Sequence, residues 1–204
     1  MGFYSQIIFP RLCEFALNRE IVERHRQELL ASAYGEVLEI GFGTGLNLPH
    51  YPASLRKLTT ADPNPGMHRF ARKRVQQTDI EIDQRVLGGE QLPFDDEAFD
   101  CVVSTFTLCS IDQVNLAVGE VYRVLKSGGR FLLLEHGLSP EANIQKWQRR
   151  LNWLEMRLGD GCHLDRNIKE IVAVPAFSKI GIEEFYLERT PKTHGYLYRG
   201  SATK

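Results

Sequence analysis

The stretch Val37-Leu38-Glu39-Ile40-Gly41-Phe42-Gly43-Thr44-Gly45 decides the fold. A short apolar run breaks into three closely spaced glycines, which predicts a buried strand, a loop and then a helix start. Without Cβ atoms such a loop can take positive φ and let a ligand lie against its backbone, with free amides of the following helix aimed at that ligand. The spacing is GxGxG behind an acidic residue. In the dinucleotide fingerprint GxGxxG the third glycine packs a helix beside a pyrophosphate, so a ligand without phosphate suits this loop better.

Outward from the loop, apolar runs predict strands over 36–40, 58–62, 85–87, 99–105 and 131–135, with helical patterns between them, clearest over 67–77 and 114–125. The second of these carries the stripe Leu116, Val121, Val124 and Leu125, and Ser127-Gly128-Gly129 reads as its C-cap and a turn into the next strand. This alternation predicts an α/β fold: a Rossmann-like, seven-stranded, mainly parallel sheet with helices on both faces. Helices are expected over 144–158 and 168–173. Segments 182–189 and 196–202 alternate across a turn at 190–195 and predict a C-terminal antiparallel hairpin at the sheet edge.

The 204 residues, 43% of them hydrophobic, suffice for one sizeable core. One domain over 1–204 is expected, with a helical lid at 1–34, a ligand-binding core at 35–136, and helices plus the hairpin at 137–204. Basic and acidic residues nearly balance, 25 against 26, without long blocks of one sign, which argues against nucleic acid as a partner. Cys13, Cys101, Cys109 and Cys162 form no CxxC pair and share no metal-ligand spacing with the histidines, so a reducing, cytoplasmic setting and no metal are expected. Pro10, Arg11 and Glu14 interrupt the apolar start well before a membrane span of ~20 residues.

Two further stretches carry chemistry. Thr60-Ala61-Asp62-Pro63-Asn64 ends the second strand and sets a carboxylate at the edge where strands meet a ligand. Asp62 either accepts ribose hydroxyls there or caps the helix beginning near Pro65. Gly88 to Asp100 leads into the strand that ends at Thr105, and Leu92-Pro93-Phe94 within it offers a plugged turn or an apolar wall for an aromatic ring.

Together Glu39-x-Gly41-x-Gly43-x-Gly45, Asp62-Pro63-Asn64, Glu90-x-Leu92-Pro93-Phe94 and Arg123-Val124-Leu125-Lys126-x-Gly128-Gly129 resemble the class I S-adenosylmethionine-dependent methyltransferases of the type 11 group over roughly residues 35–136. The resemblance implies S-adenosyl-L-methionine as cofactor. It places the methionine part near Glu39, Gly41 and Gly43, the ribose on Asp62 beside Pro63, the adenine near Gly89 and Glu90, and the methionine end near Thr105 and Phe106. Relatives often carry Asp where this chain has Gly88, so adenine recognition here leans on backbone or on Glu90. Leu108-Cys109-Ser110, Leu134-Glu135-His136 and Gly161-Cys162-His163-Leu164-x-Arg166 look similar to the methyltransferase-like 7 proteins and their bacterial relatives. That likeness implies a small lipophilic acceptor such as an alkyl thiol; amines, phenols and quinone-like carbons are the other classes considered.

Methyl transfer needs nucleophile, carbon and leaving sulfur held in line, with a base only where the acceptor keeps its proton. His136, at the end of a strand on the cofactor edge, is the first candidate base and His163 the second. Cys109 and Cys162 read as packing residues. The helically spaced Phe3, Tyr4, Ile7, Ile8, Phe9 and Leu12 form an expected lid, with Tyr4 and Phe9 as its candidate lid or acceptor-pocket residues, a helix packed on the sheet or a shallow membrane contact being the alternatives. A cofactor-binding protein without turnover and a nicotinamide-dependent oxidoreductase are the competing function classes. Oligomeric state has no signature in the sequence.

Overall fold

The computed structural model describes residues 2–204; Met1, which opens the apolar N-terminal run, lies outside the described residues. Seven strands, β1 (Val37–Ile40), β2 (Lys57–Ala61), β3 (Glu81–Arg85), β4 (Phe99–Thr105), β5 (Leu125–His136), β6 (Lys179–Tyr186) and β7 (Tyr196–Thr203), form one sheet in the order β3-β2-β1-β4-β5-β7-β6. The first five pair in parallel, β7 runs antiparallel to β5 with Phe131 opposite Ala202, and β6 runs antiparallel to β7. The expected architecture and the terminal hairpin are therefore present.

Side chains alternate across the central strands, and both faces are covered. Leu38, Ile40, Val102, Phe131 and Leu133 pack against α4 (Val114–Val124) and α6 (Ile168–Val172). Val37, Cys101, Val103, Leu132 and Leu134 pack on the opposite face with buried residues of α2 (Glu20–Leu30) and α3 (Pro65–Gln77). Continuous apolar runs such as Phe131 to Leu134 are the signature of strands buried on both faces. The strand order reverses between β1 and β4, so the loops leaving their carboxyl ends diverge and open a crevice.

Three local expectations need correction. No α-helix follows the glycine loop; the chain makes a single 3-10 turn at Leu48–His50 on its way to β2. Pro49 and Pro52 supply no N–H for a helical ladder, and the Asn47 side chain is committed to Glu39. Strand β3 lies at Glu81–Arg85, ending where 85–87 was expected to begin, because Ile82 and its neighbours pair in register with β2. The Gly128-Gly129 pair is not a free helix cap: α4 passes at Leu125 straight into β5, and Gly128 N–H donates to the Lys204 carbonyl while Lys204 N–H donates to that of Gly129.

The N-terminal segment is helical as expected, with one irregularity. A π-helical turn at Tyr4–Ile8 precedes α1 (Phe9–Leu17). It crosses Gly66, where a Cβ would stand 2.4 Å from the Gln6 carbonyl oxygen, so only glycine admits this approach. The Asn64 amide donates to the Ser5 carbonyl at 2.8 Å, and Arg74 bridges Glu14 of α1 to the Thr44 carbonyl of the glycine loop. A seventeen-residue helix, α5 (Ala142–Leu158), completes the set.

Candidate active site

A cavity of about 440 Å³ opens at the carboxyl ends of β1, β2 and β4. Glu39, Gly41, Gly43, Asp62, Pro63, Gly89, Glu90, Thr105 and Phe106 all line it. Gly45 does not; a Cβ there would press on Phe42, Ala71 and Leu48, so this glycine serves the packing of the loop on α3.

Asp62 does not cap α3. Its carboxylate accepts the Gly43 N–H and the Asn64 N–H, each at 2.8 Å, while the cap of α3 is the Asn64 side chain, which accepts the Gly66 N–H at 2.9 Å. Asp62 is thus drawn to the glycine loop and the cavity, not to the helix. Burial raises its pKa from the ordinary aspartate value, against the opposing hydrogen bonds of the Asn64 and Gly43 amides.

Glu39 is 1% exposed and accepts the Tyr51 hydroxyl at 2.7 Å and the Asn47 amide at 2.9 Å. Beside it stands a residue absent from the sequence expectations, Arg26. Helix α2 lays it over the sheet face that Val37 shares, 2% exposed, donating to Asn47 Oδ1 at 2.9 Å and Thr105 Oγ1 at 3.1 Å and stacked 5.4 Å from the Phe106 ring. Burial lowers its pKa only to about 10, so it stays a cation at neutral pH, and its Nε has no partner. A buried guanidinium with a free donor on a cavity wall is suited to an anionic ligand group.

Burial also lifts Glu39 from 4.5 to about 7, against the opposing hydrogen bonds of Tyr51 and Asn47. The folded chain then holds a proton that the unfolded chain gives up above pH 4.5. Stability of the unliganded protein should fall as pH rises between these values, by on the order of 3 kcal/mol. Glu135, raised to about 8 chiefly by burial, acts in the same direction. Melting temperatures across pH 5–8 test this: Glu39→Gln should flatten the lower part of the slope, and an unchanged slope would refute the assignment.

A second cavity of about 1230 Å³ adjoins the first, sharing Phe9, Cys13, Leu17, Phe106 and Ser110 with it. Its remaining wall is largely apolar, including Leu12, Phe70, Leu158 and Leu197. Phe106, at the boundary, holds a positive φ of 53°, a strained value for a non-glycine residue. Of the lid residues, Phe9 lines both cavities; Tyr4 lines neither and instead donates its hydroxyl to the Leu158 carbonyl at 2.5 Å, tying the N-terminal turn to α5.

His136 reaches this second cavity and His163 lines neither, its Nδ1 lying 3.3 Å from the Asn152 amide. The imidazole of His136 is engaged by sulfur: Nε2 is 2.9 Å from Cys162 Sγ. Cys109 lies in the same group, its pKa held well below the usual thiol range by the hydrogen bond of Cys162 and the nearby imidazole, while the Cys162 thiol is pushed up. The sequence alone marked both cysteines as packing residues; the structure gathers them around one histidine.

A Rossmann-like sheet with a GxGxG loop and an acidic residue at the second strand's edge defines a crevice of the nucleoside-binding type. The methyltransferase-domain family model matches residues 38–133. The thiol S-methyltransferase TMT1B of Rattus norvegicus is 34% identical over 72% of this chain, which spans 62% of the relative's length. The human thiol S-methyltransferase TMT1A is 34% identical over 89% of this chain and 78% of its own. Among solved structures, a SAM-dependent methyltransferase of Thermotoga maritima superposes over 98% of both chains with a TM-score of 0.68 at 17% identity. This chain belongs to the methyltransferase-domain family and is an S-adenosylmethionine-dependent methyltransferase. Among the described residues, no helix is long and apolar enough to cross a membrane.

Proposed function

We propose that the enzyme methylates a small lipophilic thiol. The observation that carries this reading is the large apolar cavity joined to the cofactor cleft at Phe106 and Ser110. The thiol S-methyltransferase relatives at 34% identity support the acceptor class. Exposed apolar side chains on the flanking helices, Leu12 and Phe15 of α1 and Trp153 and Leu158 of α5, favour lipophilic acceptors and a peripheral contact with a membrane surface.

Bound S-adenosylmethionine supplies an electrophilic methyl carbon on a sulfonium. In our assignment Asp62 takes the ribose hydroxyls, Arg26 the methionine carboxylate, and Glu39 the methionine ammonium through its Asn47 and Tyr51 cradle. Glu90 substitutes for the acid that relatives carry at position 88: a Cβ on Gly88 would lie 2.6 Å from Glu90 Oε2, so this carboxylate fills the space a side chain there would take. Phe9 and Phe106 exclude water from the junction, where proximity and alignment supply most of the rate.

The loop offers a direct check. A Cβ on Gly43 meets only the Gly41 carbonyl oxygen, at 3.8 Å, so the space beyond is the cleft itself; on Gly41 it would strike Thr107 Oγ1 at 1.9 Å. Gly43→Val is expected to fold with a loss of about 1–2 kcal/mol from its φ of +57° and to bind cofactor too weakly for calorimetry to detect. Retained binding would refute the placement. The acceptor itself is tested by S-adenosylhomocysteine release over a panel of an alkyl thiol, an amine, a phenol and a quinone. Turnover of the thiol above the others is the expected result, and turnover confined to another class would overturn it.

A further inference from the structure

Two loops and a strand end that meet at the larger cavity bring together side chains unlike the rest of its wall. Cys109 lies in the loop after β4, His136 ends β5, and Cys162 sits in the turn after α5. One ligand atom from each lies within 4.8 Å of those of the other two, and the residues are 1%, 9% and 8% exposed. Hydrogen bonds to and from the backbone clamp these segments: His163 N–H donates to the Cys109 carbonyl at 2.9 Å, Leu164 N–H to Asn152 Oδ1 at 2.8 Å, and the Arg166 guanidinium to the Leu108 carbonyl. A Cβ on Gly159 would fall 2.8 Å from that of Cys162, so the turn is already at closest approach. His136 Nδ1 is buried without a hydrogen-bond partner. Two thiols and an imidazole converge where apolar packing would need none of their polar atoms.

We propose that Cys109, His136 and Cys162 bind a zinc ion whose fourth coordination position faces the larger cavity and takes the sulfur of the acceptor thiol. The second half of this proposal rests on the thiol reading above; the metal site does not. Two sulfurs and one nitrogen suit a borderline-soft ion, and three protein ligands with one open position is the arrangement of catalytic rather than structural zinc. In an apolar cavity a thiol keeps its proton, since burial disfavours the charged form, and coordination to a cation reverses that preference. The coordinated thiol gives its proton to solvent. Its sulfur lone pair then forms the bond to the methyl carbon while the bond from that carbon to the sulfonium sulfur breaks and leaves its electron pair there. The thioether formed is neutral, a weaker ligand than the thiolate, and departs. In this scheme His136 is a ligand and not a base.

The test uses the full chain purified under reductant without chelator. Elemental analysis should find zinc near one per chain, and cobalt(II) replacing it should show the visible bands of a tetrahedral site with sulfur-to-cobalt charge transfer. Cys109→Ser and Cys162→Ser should each abolish those bands, while calorimetric affinity for S-adenosylmethionine stays within about threefold, because none of the three residues lines the cofactor cleft. Failure of the wild-type chain to take up zinc or cobalt, or bands surviving both serine variants, would overturn the metal site. Addition of 1-octanethiol should shift the cobalt bands; no shift would remove the acceptor role. Metal uptake without thiol turnover sinks the thiol reading and with it the acceptor half of this proposal, leaving the metal site standing, whereas thiol turnover by metal-free enzyme sinks the acceptor role and leaves the thiol reading standing.

Discussion

Asp62→Ala should bind S-adenosylmethionine at least ~100-fold more weakly than the parent while folding normally. Two hydrogen bonds from ribose hydroxyls to an ionised acceptor are worth about 1.5–3 kcal/mol each, and a tenfold change in affinity corresponds to about 1.4 kcal/mol. The fold survives because Asn64, not Asp62, caps α3, and because the Gly43 and Asn64 amides that lose their acceptor belong to residues lining the cavity. The control is Asn64→Ala, which should cost about 1 kcal/mol in thermal unfolding through loss of that cap and leave more of the affinity intact. Calorimetry and melting on both variants decide the matter: parental affinity in Asp62→Ala would sink the ribose assignment.

Arg26→Met should weaken cofactor binding by roughly 10- to 100-fold, the range expected for one charge-assisted bond to a carboxylate. The diagnostic is the ligand rather than the size of the loss. Decarboxylated S-adenosylmethionine lacks the group that Arg26 is assigned to hold, so the variant and the parent should bind it equally well. An equal loss for both ligands would mean that Arg26 acts by supporting Asn47 and Thr105. Methionine preserves much of the side-chain volume, which confines the change to charge and hydrogen bonding.

The residues that line the smaller cavity were readable from sequence because their signals are local. A glycine loop needs particular residues at particular spacings, and an acid at the end of the next strand needs only the strand to be placed. Arg26 was not read because Glu20 to Leu30 is rich in charge and resembles a solvated face. Its neighbour Arg24 behaves that way, paired with Glu20 in the open. The discriminating signal was periodicity: Val22, Arg26, Leu29 and Leu30 are the buried stripe of α2, and an arginine at a core position of such a stripe is a functional residue or a destabilising one.

The cysteines illustrate a different limit. Cys109, His136 and Cys162 lie far apart in the chain, so no short spacing rule can find them; the pairing of β4 with β5 and the return of the chain after α5 make them neighbours. The helix expected after the glycine loop failed for the opposite reason. Its two prolines were visible in the sequence, but the pattern of strand, glycine and helix was given more weight than the missing N–H groups.

The hairpin at the sheet edge bears on how the chain is made. β7 emerges from the ribosome last of the seven strands, yet it pairs with the outer edge of β5, whose Phe131, Leu132, Leu133 and Leu134 are fully buried in the finished sheet. Until residues 196–203 are synthesised, a nascent chain carries every cofactor loop beside an unpaired apolar strand, the template on which misassembly begins. Chaperone engagement should therefore peak late in translation, and polypeptides cut short before Tyr196 should enter inclusion bodies despite an intact nucleoside-binding half.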